Sequence, residues 1–449
     1  MKLEELIVAS LQIVGAGDME IIPVGGYGEI GRNMTCVKVG EDSIIIDMGI
    51  RLDRVLIHED TDISKIPYQE LISRGIIPDY KLVKGKVKAI VVTHGHLDHV
   101  GALTFLAEKF PGAPVIGTPY TIELVRKEVT ANPLQTLEEG ETLQVAKDIT
   151  IEFVRVTHSI PQSVILVLHT REGKLVYAND FKFDDFPVLG KKTDYKRLRE
   201  LGKEGVRALI VETLRVHNEG RTPPEKIARD LLASDLVKAE NDKGLLVTTF
   251  SSHIARIYSI VELAKKIGRT PFLLGRSMEK YVSIAEQIGI VKLDGVHIYG
   301  SPDAIVRMLK KVRKEGKDKY LLVVTGHQGE PDALLTKIAN KAMPLKIEKE
   351  DQVIFSAEVI PNPINEANRY SLETKLKMQG ARIFKGAHVS GHASKEDHRD
   401  LLKILQPENI VPCHGDMRLN AEYVELADSC GYTLNKDIFL LRNGQGVEI

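Results

Sequence analysis

The stretch VVTHGHLDHVGAL, Val91 to Leu103, constrains this chain more than any other. The apolar residues Val87, Ala89, Ile90, Val91 and Val92 predict a buried strand leading into it, and Val100, Ala102, Leu103 and Leu106 predict an amphipathic helix leading out. The turn between them carries His94, His96, Asp98 and His99. Burying three imidazoles and a carboxylate without partners is costly, so these are poor core residues. They are good ligands for zinc or a similar divalent ion, and alternation through the turn sends His94 and His96 one way and Asp98 and His99 another. A solvated His-rich turn is the bland alternative; H-x-H-x-D-H directly after a strand makes it the weaker one.

Other histidines and carboxylates also stand at strand ends. Asp47 closes the strand Ile44–Ile46, where it either caps a turn or orients a ligand. The alternating run Ile149–Thr157 delivers His158; Leu175–Ala178 ends in Asn179 and Asp180; Ala208–Val211 ends in Glu212. A carboxylate at the Asp180 position, carried on a parallel register, can bridge two ions with one oxygen to each. Pro114–Gly117 predicts another strand and Pro119–Val129 a helix. The glycines Gly26-x-Gly28-x-x-Gly31 satisfy a dinucleotide fingerprint formally, but that fingerprint needs a helix directly after it. The next residues instead predict a hairpin, Thr35–Val39 and Ile44–Ile46, so these glycines serve a backbone turn close beside the metal site.

Beyond Glu212 a fresh α/β alternation begins, with strands near Leu245–Phe250, Pro271–Leu274, Leu321–Thr325 and Val353–Phe355. This predicts a second, doubly wound domain. Small polar clusters stand after three of its strands: Ser251-Ser252-His253, Gly326-His327-Gln328-Gly329 and Ser356-Ala357-Glu358. A helix Tyr370–Gln379 leads to Arg382-Ile-Phe384, which reads as resuming the first domain, so the second is inserted into it. The expected division is an N-terminal extension 1–18 (or an artefact of start-codon choice), a first domain 19–211, an insert 212–372 and the rest of the first domain 373–449. The tail adds His388-Val389-Ser390-Gly391-His392 and His414 in PCHG.

Composition narrows the partners. No run of 18 apolar residues occurs, and the N-terminus lacks the features of a signal peptide. Three scattered cysteines, Cys36, Cys413 and Cys430, build no disulfide framework and favour a cytoplasmic location. The net charge of -1 gives no global attraction to nucleic acid, which leaves local patches. One comprises Lys310, Lys311, Arg313, Lys314, Lys317 and Lys319, the other Lys191, Lys192, Lys196, Arg197 and Arg199; each alone reads first as a solvated helix face.

The H-x-H-x-D-H turn, His158 in VTHSIPQS and Asp180 in ANDFKFD resemble the metallo-β-lactamase superfamily, over nearly the whole chain. Glu212, His392 in SGHAS, His414 in PCHG and the insert narrow this to the β-CASP nucleases, and among them to the short form of the ribonuclease J family. The resemblance implies an αββα sandwich with an inserted doubly wound α/β (β-CASP) domain. It assigns His94, His96 and His158 to one ion and Asp98, His99 and His414 to a second, with Asp180 between them and Asp47 behind the ligands. Two zinc ions are expected, with manganese or magnesium as alternatives; such a pair holds a hydroxide and neutralises a phosphodiester's developing charge. His392 assists departure of the 3′-oxygen and Glu212 orients it, a pairing that fixes the imidazole tautomer and favours its protonated form. Two positions depart from the family pattern: Asn179 stands where Gly is usual, and Val211-Glu212-Thr213-Leu214 replaces an Asp in a Ser-rich context. The C-terminal domain of bacterial relatives is expected to be missing.

The expected function is a zinc-dependent 5′–3′ exoribonuclease, with endonuclease action as an option, in RNA processing and decay. Its partners would be single-stranded RNA and a second copy of the chain, with no membrane. His388–His392 would line the substrate path. Ser251, Ser252 and His253 open a helix Ile254–Lys266, and a helix N-terminus flanked by hydroxyls suits an anion. A plain serine N-cap is the simpler reading; the neighbouring His388–His392 loop tips the balance toward a 5′-monophosphate pocket. The runner-up function is a hydrolase of a small thioester or lactone, which has no need of the insert. A non-catalytic subunit would have lost ligands, and all seven are present.

Overall fold

Two sheets stacked face to face carry the His-rich turn at one edge. The computed structural model describes residues 18–56, 63–238 and 242–449; apart from Asp18, the expected extension lies outside the described residues. The first sheet has seven strands in the order Val447–Glu448, Met19–Gly25, Met34–Val39, Asp42–Ile46, Lys86–Val91, Val115–Gly117 and Leu134–Thr136. The second has six: Asn409–Cys413, Ala208–Glu212, Gly173–Ala178, Val164–Thr170, Ile149–Arg155 and Thr142–Ala146. Successive side chains on a strand face opposite ways, and the packing obeys that rule. Ile44 and Ile46 pack inward with Ile151, Phe153, Leu166 and Tyr177. Ile45 packs outward with Ile90 and Val92 under Leu103, Leu106 and Ile122. On the far side, Val176, Leu209 and Val211 meet Leu198, Leu401 and Leu426 from the helices Tyr195–Glu204, Lys395–Leu405 and Met417–Asp428. The result is the four-layer αββα sandwich that the resemblance implied.

A third sheet has six parallel strands in the order His297–Tyr299, Thr270–Leu274, Tyr320–Val324, Leu245–Thr248, Gln352–Phe355 and Arg382–Lys385. Hydrophobic clusters cover both of its faces, which explains why its strands read as unbroken apolar runs. Three elements differ from the sequence-based expectation. Arg382–Lys385 pairs with Gln352–Phe355, so it forms an edge of this sheet and does not resume the sandwich. A short half-exposed strand looks alike in either sheet; only its ladder partner distinguishes them. The helix after the His-rich turn is two single turns, Leu97–Val100 and Leu103–Leu106, because the Ala102 amide donates to Met48 O at 2.9 Å and leaves the helical ladder. The helix expected at Tyr370 begins earlier, at Pro363, with the Asn362 side chain accepting from Ile364 N at 2.8 Å. Among the described residues no helix is long and apolar enough to cross a membrane.

The third sheet is fastened to the sandwich by packing, and one buried cation ties its own elements to the segment that returns to the sandwich. Tyr120, Leu124 and Ile160 of the sandwich join the core of the third sheet, and Tyr120 Oη donates to Tyr281 O at 2.9 Å. Arg256, fully buried, grips Glu225 with two bonds of 2.6 and 2.9 Å and donates to Ser356 O at 2.9 Å and Ala387 O at 3.0 Å. It thereby ties the helix Glu225–Val237, the end of Gln352–Phe355 and the segment leading to His388. Removing one partner of such a pair strands the other charge. Arg256→Met should cost about 3–5 kcal/mol in urea unfolding, and adding Glu225→Gln should recover part of it; additive losses would show that the two side chains do not act as a pair.

Candidate metal centre

Parallel strands put the polar residues at one edge. Asp42–Ile46 and Lys86–Val91 run parallel and end at Asp47 and at the His94 turn. Gly173–Ala178, Ala208–Glu212 and Asn409–Cys413 run parallel and end at Asp180, Glu212 and His414. The two sheets thus contribute to one site from opposite sides.

The seven expected ligands gather into two groups, His94, His96, His158 and Asp180, and Asp98, His99, Asp180 and His414. In the first, His96 Nδ1 lies 3.2 Å from His94 Nε2 and 3.1 Å from His158 Nε2, and Asp180 Oδ2 lies 3.4 and 3.5 Å from those two Nε2 atoms. Tetrahedral zinc with Zn–N near 2.0–2.1 Å sets its ligand atoms about 3.3 Å apart. In the second, His99 Nε2 is 3.3 Å from Asp180 Oδ2, and His414 Nε2 is 3.5 Å from Asp180 Oδ1 and 3.6 Å from Asp98 Oδ2. Asp180 is the residue common to both groups, and its Oδ2 faces ligands of both.

The donor set fits divalent cations. Burial pushes His94, His96 and His158 well below the ordinary imidazole range, so all three are neutral and offer lone pairs to one point. Burial also disfavours the charge on His99, but Asp180, Asp47 and Asp98 outweigh it and raise that group. Burial opposes ionisation of Asp180, yet His99, His414 and His392 hold its carboxyl well below the usual range. Asp180 Oδ1 is buried without a hydrogen-bond partner, the mark of an acceptor meant for something other than protein. Backbone strain concentrates here too: Asp47, Asp180 and His414 have φ of 59°, 56° and 48°, in a region costly for non-glycine residues.

Supporting contacts hold the ligands. Asp47 Oδ2 lies 2.8 Å from His99 Nδ1, and Asp47 Oδ1 accepts from Thr93 N at 2.8 Å, so Asp47 braces the ligand loop from behind. His158 Nδ1 donates to Gly391 O at 2.8 Å. Gly26 O accepts from His414 N at 2.7 Å, and Gly31 has φ of 78°, so the glycine-rich segment turns beside the site as expected. Sequence reasoning missed Thr93, Thr222 and Arg256. Thr93 was readable as the residue joining the strand to the His turn. Thr222, whose Oγ1 donates to His392 O at 2.6 Å, carries no such signal, and neither does Arg256.

Glu212 and His392 meet beside the ligands. His392 Nδ1 is 3.0 Å from Glu212 Oε2 and 3.9 Å from Asp180 Oδ1. Burial lowers His392, but Glu212 and Asp180 outweigh it and push it up to about 9. Of the substrate-path residues, His388 sits away from the ligands, 3.4 Å from Arg256 and beside the Phe250 ring, while Gly391 touches His158. Ser252 Oγ lies 3.2 Å from His96 Nε2, and Ser251 pairs with Ser277 at 2.9 Å. The N-cap of Ile254–Lys266 is His253, not a serine: its Nδ1 accepts from Arg256 N at 3.4 Å. Of the two basic patches, Lys192, Lys196 and Arg199 line one groove with Arg155 and Arg221, but Arg197 turns inward to Glu152.

Known proteins resemble this chain over nearly its whole length. Residues 76–195 match the family described as beta-lactamase superfamily domain, residues 242–371 that of ribonuclease J, beta-CASP domain, and residues 379–435 that of Zn-dependent metallo-hydrolase RNA specificity domain. Ribonuclease J of Methanocaldococcus jannaschii is 58% identical over 95% of this chain and 98% of its own length. The chain belongs to the ribonuclease J family. The family member from Pyrococcus abyssi is 50% identical over 96% of this chain and 97% of its own, and ribonuclease J of Synechocystis is 33% identical over 96% of this chain and 66% of its own, greater length. A solved structure titled as a protein of unknown function from Enterococcus faecalis shares the fold, with a TM-score of 0.64 at 16% identity over 96% of this chain and 99% of that one. Membership of the ribonuclease J family leaves the thioester or lactone reading without support.

Since Asp47 touches His99 and not the centre of either group, Asp47→Asn should weaken metal affinity about 10–100-fold, measured by chelator competition. Unchanged affinity would reduce Asp47 to a turn residue.

Proposed function

We infer that this chain is a metal-dependent ribonuclease. The observation that carries the reading is one carboxylate, Asp180, shared by two ligand groups and standing 3.9 Å from a His392–Glu212 pair. We divide the chain as its sequence suggests, with the boundary at 372/373 moved beyond Lys385 and the β-CASP domain reaching the metal centre through Ser252. Two ions per chain, zinc by donor chemistry, would be held by His94, His96, His158 and Asp180 and by Asp98, His99, His414 and Asp180. Bound there, such ions supply charge neutralisation for a phosphodiester and a water nucleophile at neutral pH.

The protein's own groups do the rest. Glu212, fully buried and accepting from Phe181 N at 3.3 Å, holds His392 through Nδ1. That leaves the protonated Nε2 to hand a proton to the departing 3′-oxygen. Thr222 and Gly391 fix the loop that carries His392, the first through the His392 carbonyl and the second through His158. His392→Ala should therefore retain its ions and lose about 10²–10⁴-fold in turnover. Loss of metal instead would make His392 a ligand, and full activity would remove it from the mechanism.

Degradation runs 5′ to 3′ with a preference for a 5′-monophosphate. In support, the loop Ser251–His253 opens a helix and reaches the ligand His96, so a terminal phosphate held there stands beside the ions. A triphosphate is too large for such a pocket and a hydroxyl too weakly held. The test compares one unstructured RNA bearing each of the three 5′ ends, with wild type and Ser251→Ala. The monophosphate should be degraded fastest and that advantage should shrink in the variant. Equal rates on all three, or shortening from the 3′ end, would overturn the direction. A preference untouched by Ser251→Ala would move the pocket elsewhere.

A further inference from the structure

The third-sheet domain touches one of the two ligand groups through Ser252. The Asp98–His99–His414 group is held from within the sandwich: Asp47 holds His99 and accepts from Thr93, the two lying at the ends of neighbouring parallel strands. In the His94–His96–His158 group the sandwich holds His94, whose Nδ1 lies 3.2 Å from Thr93 Oγ1, but His96 is reached from outside it. His96 turns Nδ1 toward His94 and His158, and its other nitrogen, Nε2, lies 3.2 Å from Ser252 Oγ. Ser252 lies in the loop between Leu245–Thr248, a central strand of the third sheet, and the helix Ile254–Lys266. His158 turns Nε2 inward, and its Nδ1 donates to Gly391 O, in the segment that joins Arg382–Lys385 of the same sheet to the helix Lys395–Leu405 of the sandwich. The approach is close: a Cβ at Gly391 would stand 2.9 Å from both His158 Nδ1 and the Ser159 side chain.

A neutral imidazole has one proton and two nitrogens. To offer Nδ1 to a cation, His96 must carry its proton on Nε2, and an acceptor there selects that tautomer and fixes the ring plane. Ser252 Oγ stands where that acceptor is needed. Without it the alternative tautomer puts a proton on Nδ1, where the ion would bind. We propose that Ser252 is a positioning residue for His96, and that the His94–His96–His158 ion site is complete only while the third-sheet domain is docked on the sandwich. The two ion sites are therefore unequal: one is assembled across the domain boundary, the other within one domain. This rests on the two-site reading above, and it gives the inserted domain a part in metal binding as well as in holding RNA.

The test is titration of metal-stripped, full-length protein with cobalt against a competing chelator, monitoring cobalt absorption, for wild type, Ser252→Ala and Ser252→Thr. Wild type should take up two ions. Ser252→Ala should weaken one of them about 10–100-fold and change its absorption, leaving the other as in wild type. Ser252→Thr keeps a hydroxyl acceptor and should restore both the affinity and the spectrum. Equal affinities and spectra in wild type and Ser252→Ala would overturn the role of Ser252 while leaving the two-site reading intact. Equal weakening of both ions would overturn the inequality. A single ion in wild type would overturn the two-site reading itself. Thermal melting of each variant separates these outcomes from loss of the fold, and if Ser252→Ala melts early, Ser252→Thr with wild-type stability but one weakened ion also overturns the proposal.

Discussion

One buried carboxylate sets the terms for the rest of the molecule. Asp180 stands 3.3–3.5 Å from His94, His99, His158 and His414. Its backbone is in the left-handed region, with φ of 56°. Burying a charge and bending the chain both cost free energy, and they persist only where the surroundings over-determine them. Here the surroundings are the ends of parallel strands in two stacked sheets, which deliver imidazoles from both sides onto the same oxygens. Without a cation the lone pairs of three neutral imidazoles converge on one another, so the fold is built around what those groups are to bind.

The same sandwich supports unrelated chemistries, so its presence alone does not decide a substrate. The features that set this chain apart stand next to the ligands. His392 and Glu212 meet at 3.0 Å beside Asp180, and Arg256 locks the segment that leads to His392 into the third sheet. Chemistry and cleft are thereby parts of one packed structure, and the identity to ribonuclease J proteins over nearly the full chain agrees with that arrangement.

Much of this was legible in the sequence. A histidine or carboxylate directly after an apolar run is an unusual pattern, and it located His94, His158, Asp180, Glu212 and His414 at the strand ends where they stand. The hairpin predicted after Gly31 argued against the dinucleotide reading, and Met34–Val39 does pair with Asp42–Ile46. Relations between distant segments could not be read. Arg382–Lys385 takes its identity from a ladder partner. Ser252 and Gly391 matter through ring nitrogens of His96 and His158, and no spacing rule links them. The cap of Ile254–Lys266 went to His253, whose ring competes with serine for the same amides.

Hydrolysis of RNA through metal held by the paired ligand groups is open to a direct test. One RNA, labelled at the 5′ end in one sample and at the 3′ end in another, is incubated with native, metal-stripped and zinc-reloaded protein. Stripping should abolish cleavage and zinc should restore it, and the 5′ label should appear at once as mononucleotide while the 3′ label stays on long fragments. Cleavage that persists in the stripped protein, or reloaded protein that leaves both labels on intact RNA, would contradict it.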